Sequence, residues 1–143
     1  MRDVGGRMES KLFSIQKAGF TISISLQIIG QDVLATITGG NTPHIGTVTT
    51  YSIEEKKVTR FPSHDGRFHK DDVLADIFIK SVAKTIPHYL VVTSGVHVDH
   101  ISKAQIAASF PMVESLSQEV VQWLETVNWG AEAIYYQNGE TPQ

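Results

Sequence analysis

A strict alternation of apolar and polar side chains from Phe20 to Ile28 is the feature that most restricts the fold of this chain. The apolar positions are Phe20, Ile22, Ile24, Leu26 and Ile28, and Thr21, Ser23, Ser25 and Gln27 lie between them. A period of two places these apolar side chains on one face of a β-strand, whereas a helix would spread them around its axis. The segment therefore predicts a half-buried strand in a sheet.

Further strands are predicted in the first half of the chain. Gly30, Gln31 and Asp32 supply a turn, after which the β-branched segment 33–38 is expected to return antiparallel as a hairpin. Later strands are expected at 45–53 and 58–61. The first half is thus predicted to form an antiparallel β-meander.

The second half changes to a helical period. Apolar residues recur three and four positions apart from about Lys70 to Thr85, and Pro87 ends this predicted helix. The following segment, 88–93, is an apolar run of strand length, which is typical of a central buried strand.

A second long helix is predicted to follow that strand. Ser102 and Gln105 have capping-box spacing, and an apolar stripe continues from there to Val127. We expect Pro111 to kink this helix or to divide it into a short and a longer helix.

The order of these elements predicts an α+β fold with mixed α/β layers, in which a meander followed by helix, strand and helix forms a sheet with packed helices. The length of 143 residues suits one domain. We expect a flexible N-terminal tail at 1–10, a single domain at 11–130, and a C-terminal tail or short docked strand at 131–143.

Composition narrows the classes of function. The chain has no cysteine, which excludes disulfides, thiolate metal sites and cysteine nucleophiles. Its net charge is −3 with scattered basic residues, which argues against nucleic-acid binding. The apolar runs are far shorter than the roughly 20 residues of a membrane span. A soluble, cytoplasmic protein is expected.

The loop 39–46 is the first candidate site. It contains Gly39, Gly40 and Gly46, which tolerate positive φ angles, and Pro43 stiffens the approach to His44. Such a loop can present backbone amides to an anion, although the glycines can equally serve a turn alone. It has neither a phosphate-loop lysine nor GxGxxG spacing.

The loop 94–100 is the second candidate site, because it follows the predicted buried strand where open sheets tend to bind ligands. In an extended segment after Gly95, the side chains of His97 and Asp99 share one face. They could form a general-base pair or share a metal ion. Alternatively, Asp99 caps the following helix and His97 fills a polar corner.

The segment 64–72 is a third polar cluster, in which Arg67, Lys70 and a helix N-terminus could meet an anion. A solvated turn explains the same residues. Two enzymatic interpretations of these loops also stay open. A histidine-rich metal site could be assembled from His44, His64, His69, His97 and His100. A metal-dependent hydrolase or lyase could use His44, His97, Asp99 and His100. Ser94 with His97 and Asp99 has the residue types of a hydrolase but lacks the GxSxG elbow.

Taken together, three blocks resemble a family of small accessory proteins of gallate-type decarboxylases, which are described as prenylated flavin chaperones of the LpdD-like type. The blocks are Gly39-Gly40-Asn41-Thr42-Pro43-His44-Ile45-Gly46, His69-Lys70-Asp71-Asp72 and Gly95-Val96-His97-Val98-Asp99-His100. The resemblance runs from about Phe20 to Val127. It implies a fold like that of proteasome-assembly chaperones and a tendency to form homodimers.

The resemblance further implies a non-catalytic accessory that holds prenylated FMN, made by a flavin prenyltransferase, and delivers it to a UbiD-type decarboxylase. A dimeric assembly chaperone without a small ligand is the other non-enzymatic alternative. The residues expected to bind the cofactor are Gly39, Gly40, Pro43, His44, Gly46, Arg67, His69, Lys70, Asp71, Gly95, His97 and Asp99.

Overall fold

The computed structural model describes residues 8–62, 71–131 and 134. In this part of the chain a six-stranded sheet is packed against two helices. Its strands are β1 (Met8–Lys17), β2 (Phe20–Ile29), β3 (Asp32–Gly40), β4 (Thr47–Tyr51), β5 (Lys56–Arg60) and β6 (Leu90–His97). The helices are α1 (Asp72–Val82), extended by a 3₁₀ turn at Ala83–Thr85, and α2 (Lys103–Leu124). The predicted α+β class is confirmed.

Strands β1, β2 and β3 form consecutive antiparallel hairpins. The turn between β2 and β3 was predicted, and Gly30 there has a φ of 63°. Strand β1 was not predicted, and it begins inside the segment 1–10 that was expected to be a tail. Its sequence carries little signal because, among its described side chains, Phe13 alone is buried.

Strand β6 separates β3 from β4, because the strand order is β1-β2-β3-β6-β4-β5. It pairs parallel with β3 and antiparallel with β4. The predicted meander is therefore interrupted after β3. A strand as apolar as β6 is most stable between two neighbours, and its predicted central position is confirmed.

Both helices pack on the face of the sheet that carries the alternating apolar residues of β2. The core of this layer contains Ile24, Leu26, Phe78 and Leu116, each of them fully buried. On the opposite face β1, β2 and β3 present mainly serine and threonine side chains, which are exposed or half-buried. The face of the sheet under the helices is therefore apolar and buried, and the opposite face of β1, β2 and β3 is polar.

The helix limits differ slightly from the predicted ones. Helix α1 begins at Asp72 rather than Lys70. Helix α2 has the predicted capping box, with Ser102 Oγ accepting from the Gln105 amide at 3.0 Å and Gln105 Oε1 accepting from the Ser102 amide at 3.0 Å. It continues through Pro111 as one helix. The predicted division at this proline is wrong.

None of the helices in the described ranges is long and apolar enough to cross a membrane. The C-terminal tail or short docked strand expected at 131–143 lies outside the described residues except for Ala131 and Ile134, which are exposed.

Candidate cofactor site at the ends of β3 and β6

The two candidate segments, 39–46 and 94–100, lie together at one edge of the sheet. Strands β3 and β6 run parallel, so their carboxyl ends meet, with Gly40 opposite His97. From Gly40 the chain crosses over the end of β6 to begin β4 on its other side. This is the position in which open sheets with parallel strands commonly bind ligands.

Backbone hydrogen bonds join the crossing loop to β6. The amide of Asn41 donates to the His97 carbonyl at 2.7 Å, and the amide of Gly46 donates to the Ser94 carbonyl at 2.9 Å. The His44 amide makes a longer bond, 3.4 Å, to the Gly95 carbonyl. Since these amides pair with β6, they do not point outward as an anion cradle. Any phosphate contact at this edge must use other donors.

Close backbone approach explains two glycines of these segments, Gly40 and Gly95. A Cβ atom on Gly95 would lie 1.8 Å from the His44 carbonyl oxygen, and one on Gly40 would lie 2.0 Å from the His97 carbonyl oxygen. Gly40 also has a φ of 79°. The crossing of the loop over β6 therefore requires glycine at these positions.

Asp71 joins the start of α1 to this edge. It is the N-cap residue of α1, but its side chain does not cap the helix. Instead its Oδ1 accepts a hydrogen bond from the Val96 amide at 3.2 Å. Its Oδ2 lies 3.7 Å from His44 Nε2, and both side chains are largely buried. Asp71 therefore fixes the positions of α1, β6 and His44 relative to one another.

The hydrogen bond at Nδ1 determines the tautomer of His44. His44 Nδ1 lies 3.0 Å from the carbonyl oxygen of Thr42, which can only accept, so Nδ1 carries a proton. The other ring nitrogen, Nε2, faces the Asp71 carboxylate. Because Nδ1 faces the Thr42 carbonyl and Nε2 is buried towards Asp71, the imidazole ring is held in one orientation at this edge.

His97 and Asp99 form a second pair, as their spacing predicted. His97 Nε2 lies 3.1 Å from Asp99 Oδ1, and the side chains are 53% and 64% exposed. The Asp99 amide donates to Asn41 Oδ1 at 2.8 Å, which ties the two loops together. Asp99 does not cap α2, because Ser102 does. The two acid–imidazole pairs are therefore distinct, one largely buried and one exposed.

Thr47 and Ser94 are buried polar residues of this edge. Sequence patterns did not single out Thr47, and they indicated Ser94 only as a hydrolase nucleophile. The two lie directly opposite each other on β4 and β6, and both are fully buried. Neither hydroxyl has a hydrogen-bond partner among the described residues. An unsatisfied buried hydroxyl is costly, so the pair marks a local weakness under the helix layer.

Ion pairs hold α1 against the edge strand β5. Arg60 donates from Nε and Nη2 to the two carboxylate oxygens of Asp72, at 3.1 and 2.9 Å. These bonds lower the pKa of Asp72 below its ordinary value. Lys56 pairs with Asp76 and lowers its pKa through their hydrogen bond. Both carboxylates are therefore engaged in holding the fold.

The structure leaves part of the predicted site without a position. Arg67, His69 and Lys70 lie outside the described residues, as does His64. Within the described ranges, no group of three histidine, aspartate or glutamate side chains is placed to hold a metal ion.

A cavity of about 240 Å³ lies at the opposite end of β4 and β6, lined in part by Tyr51, Pro87 and Tyr89.

Residues 16–125 match the family model of the prenylated flavin chaperone LpdD-like domain. The chain belongs to this family. It is 41% identical over 133 residues to Protein LpdD of Lactiplantibacillus plantarum, covering 92% of this chain and 98% of that protein. The family resemblance seen in the three sequence blocks is confirmed.

A solved structure shares the fold of this family member. The similar chain comes from a novel chaperone complex for yeast 20S proteasome assembly. It aligns with a TM-score of 0.53 and 7% identity, over 82% of this chain and 97% of that one. At such low identity the likeness concerns the fold alone.

Proposed function

We propose that this protein is a non-catalytic accessory of a decarboxylase system, which binds prenylated FMN and delivers it to a UbiD-type decarboxylase. Membership of the prenylated flavin chaperone LpdD-like family carries this proposal. The cofactor would come from a flavin prenyltransferase. The family-level expectation of a homodimer is part of the same proposal.

The edge formed by β3 and β6 has the features that an FMN-like ligand needs near its phosphate. Helix α1 begins there, and the exposed amides of a helix N-terminus favour an anion. His44 lies beside this terminus, 3.7 Å from the N-cap residue Asp71. Arg67 and Lys70, which precede α1 in sequence, would supply the positive charge for a phosphate.

Three exposed apolar side chains, on the crossing loop, after β5 and in the first turn of α1, are proposed to contact the flavin ring. Ile45, Phe61 and Val73 are large apolar residues with about half of their surface exposed, at 55%, 46% and 47%. The Phe61 amide donates to the Gly46 carbonyl at 2.9 Å, so Phe61 lies beside the crossing loop. Val73 is in the first turn of α1. Cofactor sites combine such apolar surfaces with a few polar groups.

The exposed pair of His97 and Asp99 favours a binding role over a catalytic one. General acid–base and electrostatic catalysis gain strength where water is excluded, and more than half of each of these side chains is exposed. At the edge of a carrier site the same pair can donate or accept hydrogen bonds. The proposed contacts there also include Gly39, Gly40, Pro43, His69 and Gly95.

A fluorescence titration with FMN and with prenylated FMN tests the ligand. We expect saturable quenching of flavin fluorescence, which weakens when His44 is replaced by glutamine. Lys57→Glu is the matched control, because Lys57 lies on the edge strand β5 and its replacement is expected to leave binding unchanged. Absence of binding up to millimolar flavin would contradict the carrier role.

A pull-down with the catalytic subunit of a UbiD-type decarboxylase tests delivery. We expect the loaded protein to bind that subunit and to transfer flavin to it. Binding to the subunit without any flavin binding would instead favour an assembly chaperone that carries no small ligand.

A further inference from the structure

The two edges of the sheet differ in how they resist pairing with another strand. Strand β5 is short, contains Lys56, Lys57 and Arg60, and is followed closely by Pro62. Short length, basic residues and proline are the usual protections of an exposed edge. Strand β5 is thus unsuited to pairing.

Strand β1, at the other edge, also contains two lysines, Lys11 and Lys17, but it lacks the short length and the proline. It is 10 residues long and contains neither glycine nor proline. Its pairing with β2 runs without a bulge from Met8 to Lys17. In the part of the chain that the structure describes, no strand covers its outer side. Leu12, on its polar face, is 65% exposed.

The turn after β1 determines which amides face outward. Ala18 and Gly19 both have positive φ angles, 53° and 81°, as in a two-residue type I′ turn. Such a turn closes on a hydrogen-bonded pair, here Lys17 and Phe20. The odd-numbered residues of β1 therefore bond to β2. The amides and carbonyls of the even-numbered residues point outward: Ser10, Leu12, Ser14 and Gln16.

We propose that β1 pairs antiparallel with β1 of a second copy of the chain, with Phe13 of both copies at the two-fold axis. In this register Glu9 of each copy lies opposite Lys17 of the other, and Leu12 lies opposite Ser14. Directly opposed charges of unlike sign stabilise antiparallel pairs. This pairing would be the interface of the homodimer that forms part of the proposed function, and the inference rests on that proposal.

Neighbouring registers are less favourable. Regular hydrogen bonding requires even-numbered residues to face even-numbered residues, so the alternatives have their axis one residue away. With the axis at Ser14, Lys11 would face Lys17 of the other copy, and like charges in this position destabilise the pair. With the axis at Leu12, Glu9 would face Ile15 and gain no ion pair. The charges of β1 thus select the axis at Phe13.

Charge reversal tests this register, measured by sedimentation equilibrium of the full chain. We expect a dimer that Glu9→Lys or Lys17→Glu weakens by about tenfold or more, because two attractive pairs become repulsive in each dimer. The double variant should restore the wild-type dissociation constant. Within one chain the two residues are about 27 Å apart, so this coupling requires contact between copies.

The control is Lys57→Glu on β5, which should leave the dissociation constant unchanged. A monomer at all concentrations, a dimer indifferent to the single reversals, or a double variant that is not rescued would each overturn the proposal. Circular dichroism confirms that the variants are folded. Flavin titration of the same samples separates the two proposals, because flavin binding by a monomer would leave the carrier role intact.

Disulfide trapping is a second measurement. The chain has no cysteine, so only the introduced cysteines can form a cross-link. Leu12→Cys and Ser14→Cys proteins, mixed and oxidised, should form a covalent dimer, since opposed residues of an antiparallel pair lie within bonding distance. Each variant alone should form far less. Equal cross-linking in all three samples would contradict the register.

Discussion

The carboxylate of Asp71 accepts a hydrogen bond from the amide of Val96, at 3.2 Å, and so joins the first residue before α1 to the end of β6. The same carboxylate lies 3.7 Å from His44 Nε2. One side chain thereby connects the helix layer, a central strand and the crossing loop. The geometry of the candidate site depends on this connection.

Replacing Asp71 with alanine should lower the free energy of unfolding by about 1–3 kcal/mol, because the Val96 amide loses an acceptor that is partly buried. Asp71→Asn keeps an oxygen acceptor and should cost less. Urea denaturation of both variants measures the difference. Equal loss in the two variants would show that the negative charge, and not the hydrogen bond, stabilises this contact.

Gly95→Ala, within β6, should be more destabilising than a glycine replacement whose Cβ meets no neighbouring atom. The new Cβ would lie 1.8 Å from the His44 carbonyl oxygen, so the crossing loop must move. We expect a cost of about 3 kcal/mol, the upper range for overpacking. The measurement is the midpoint of thermal unfolding.

Gly30→Ala is the matched control for that replacement. No atom lies within 4 Å of its added Cβ, and its φ of 63° alone should cost about 1–2 kcal/mol. Similar losses at both positions would mean that the loop moves away from β6 without resistance.

Ser94→Ala should leave stability unchanged or raise it by about 1 kcal/mol, because the buried hydroxyl it removes has no partner among the described residues. Thr47→Val, which keeps the shape of the side chain, should behave in the same way. Urea denaturation of the two variants and of the pair checks this. A loss above about 1 kcal/mol in either would show that its hydroxyl has a stabilising partner.

Acid should loosen the contact between α1 and β5. The pKa values of Asp72 and Asp76 are lowered in the folded protein by hydrogen bonds from Arg60 and Lys56, so their contribution to stability is complete above the unfolded-state value of 3.8. It is lost as the pH falls through the lower folded-state values. Unfolding measured at about pH 5 and about pH 3 should show this decline.

Asp72→Asn should flatten the decline, since the variant cannot lose a charge at this position. Lys57→Glu, whose lysine has no role in these pairs, should retain the wild-type slope apart from its own added carboxyl group. A variant curve parallel to that of the wild type would contradict the assignment to Asp72.

The sequence was most informative where the hydrophobic period was regular or a helix-capping motif was complete. Alternation predicted β2, and the Ser102 capping box predicted the start of α2. Strand β1 was missed because its polar residues lie at an edge and require little burial. The insertion of β6 between β3 and β4 could not be predicted, because pairing between distant strands leaves no local pattern.

The site was predictable as a set of loops but not as a set of contacts. The glycines of 39–46 suggested an anion cradle, whereas Gly46 donates its amide to Ser94. Spacing alone indicated the pair of His97 and Asp99. The pair of His44 and Asp71 is far apart in sequence and depends on the tertiary fold, as do the opposed hydroxyls of Thr47 and Ser94.

The position of β6 also bears on the order of events during synthesis. Strands β3 and β4 are separated in the sheet by a strand that leaves the ribosome well after β4, with β5 and α1 made in between. Until Leu90–His97 emerges, the β1–β3 hairpins and the β4–β5 hairpin have no shared hydrogen bonds. The two halves of the sheet are therefore joined late, and by the strand whose end forms the proposed ligand-binding edge.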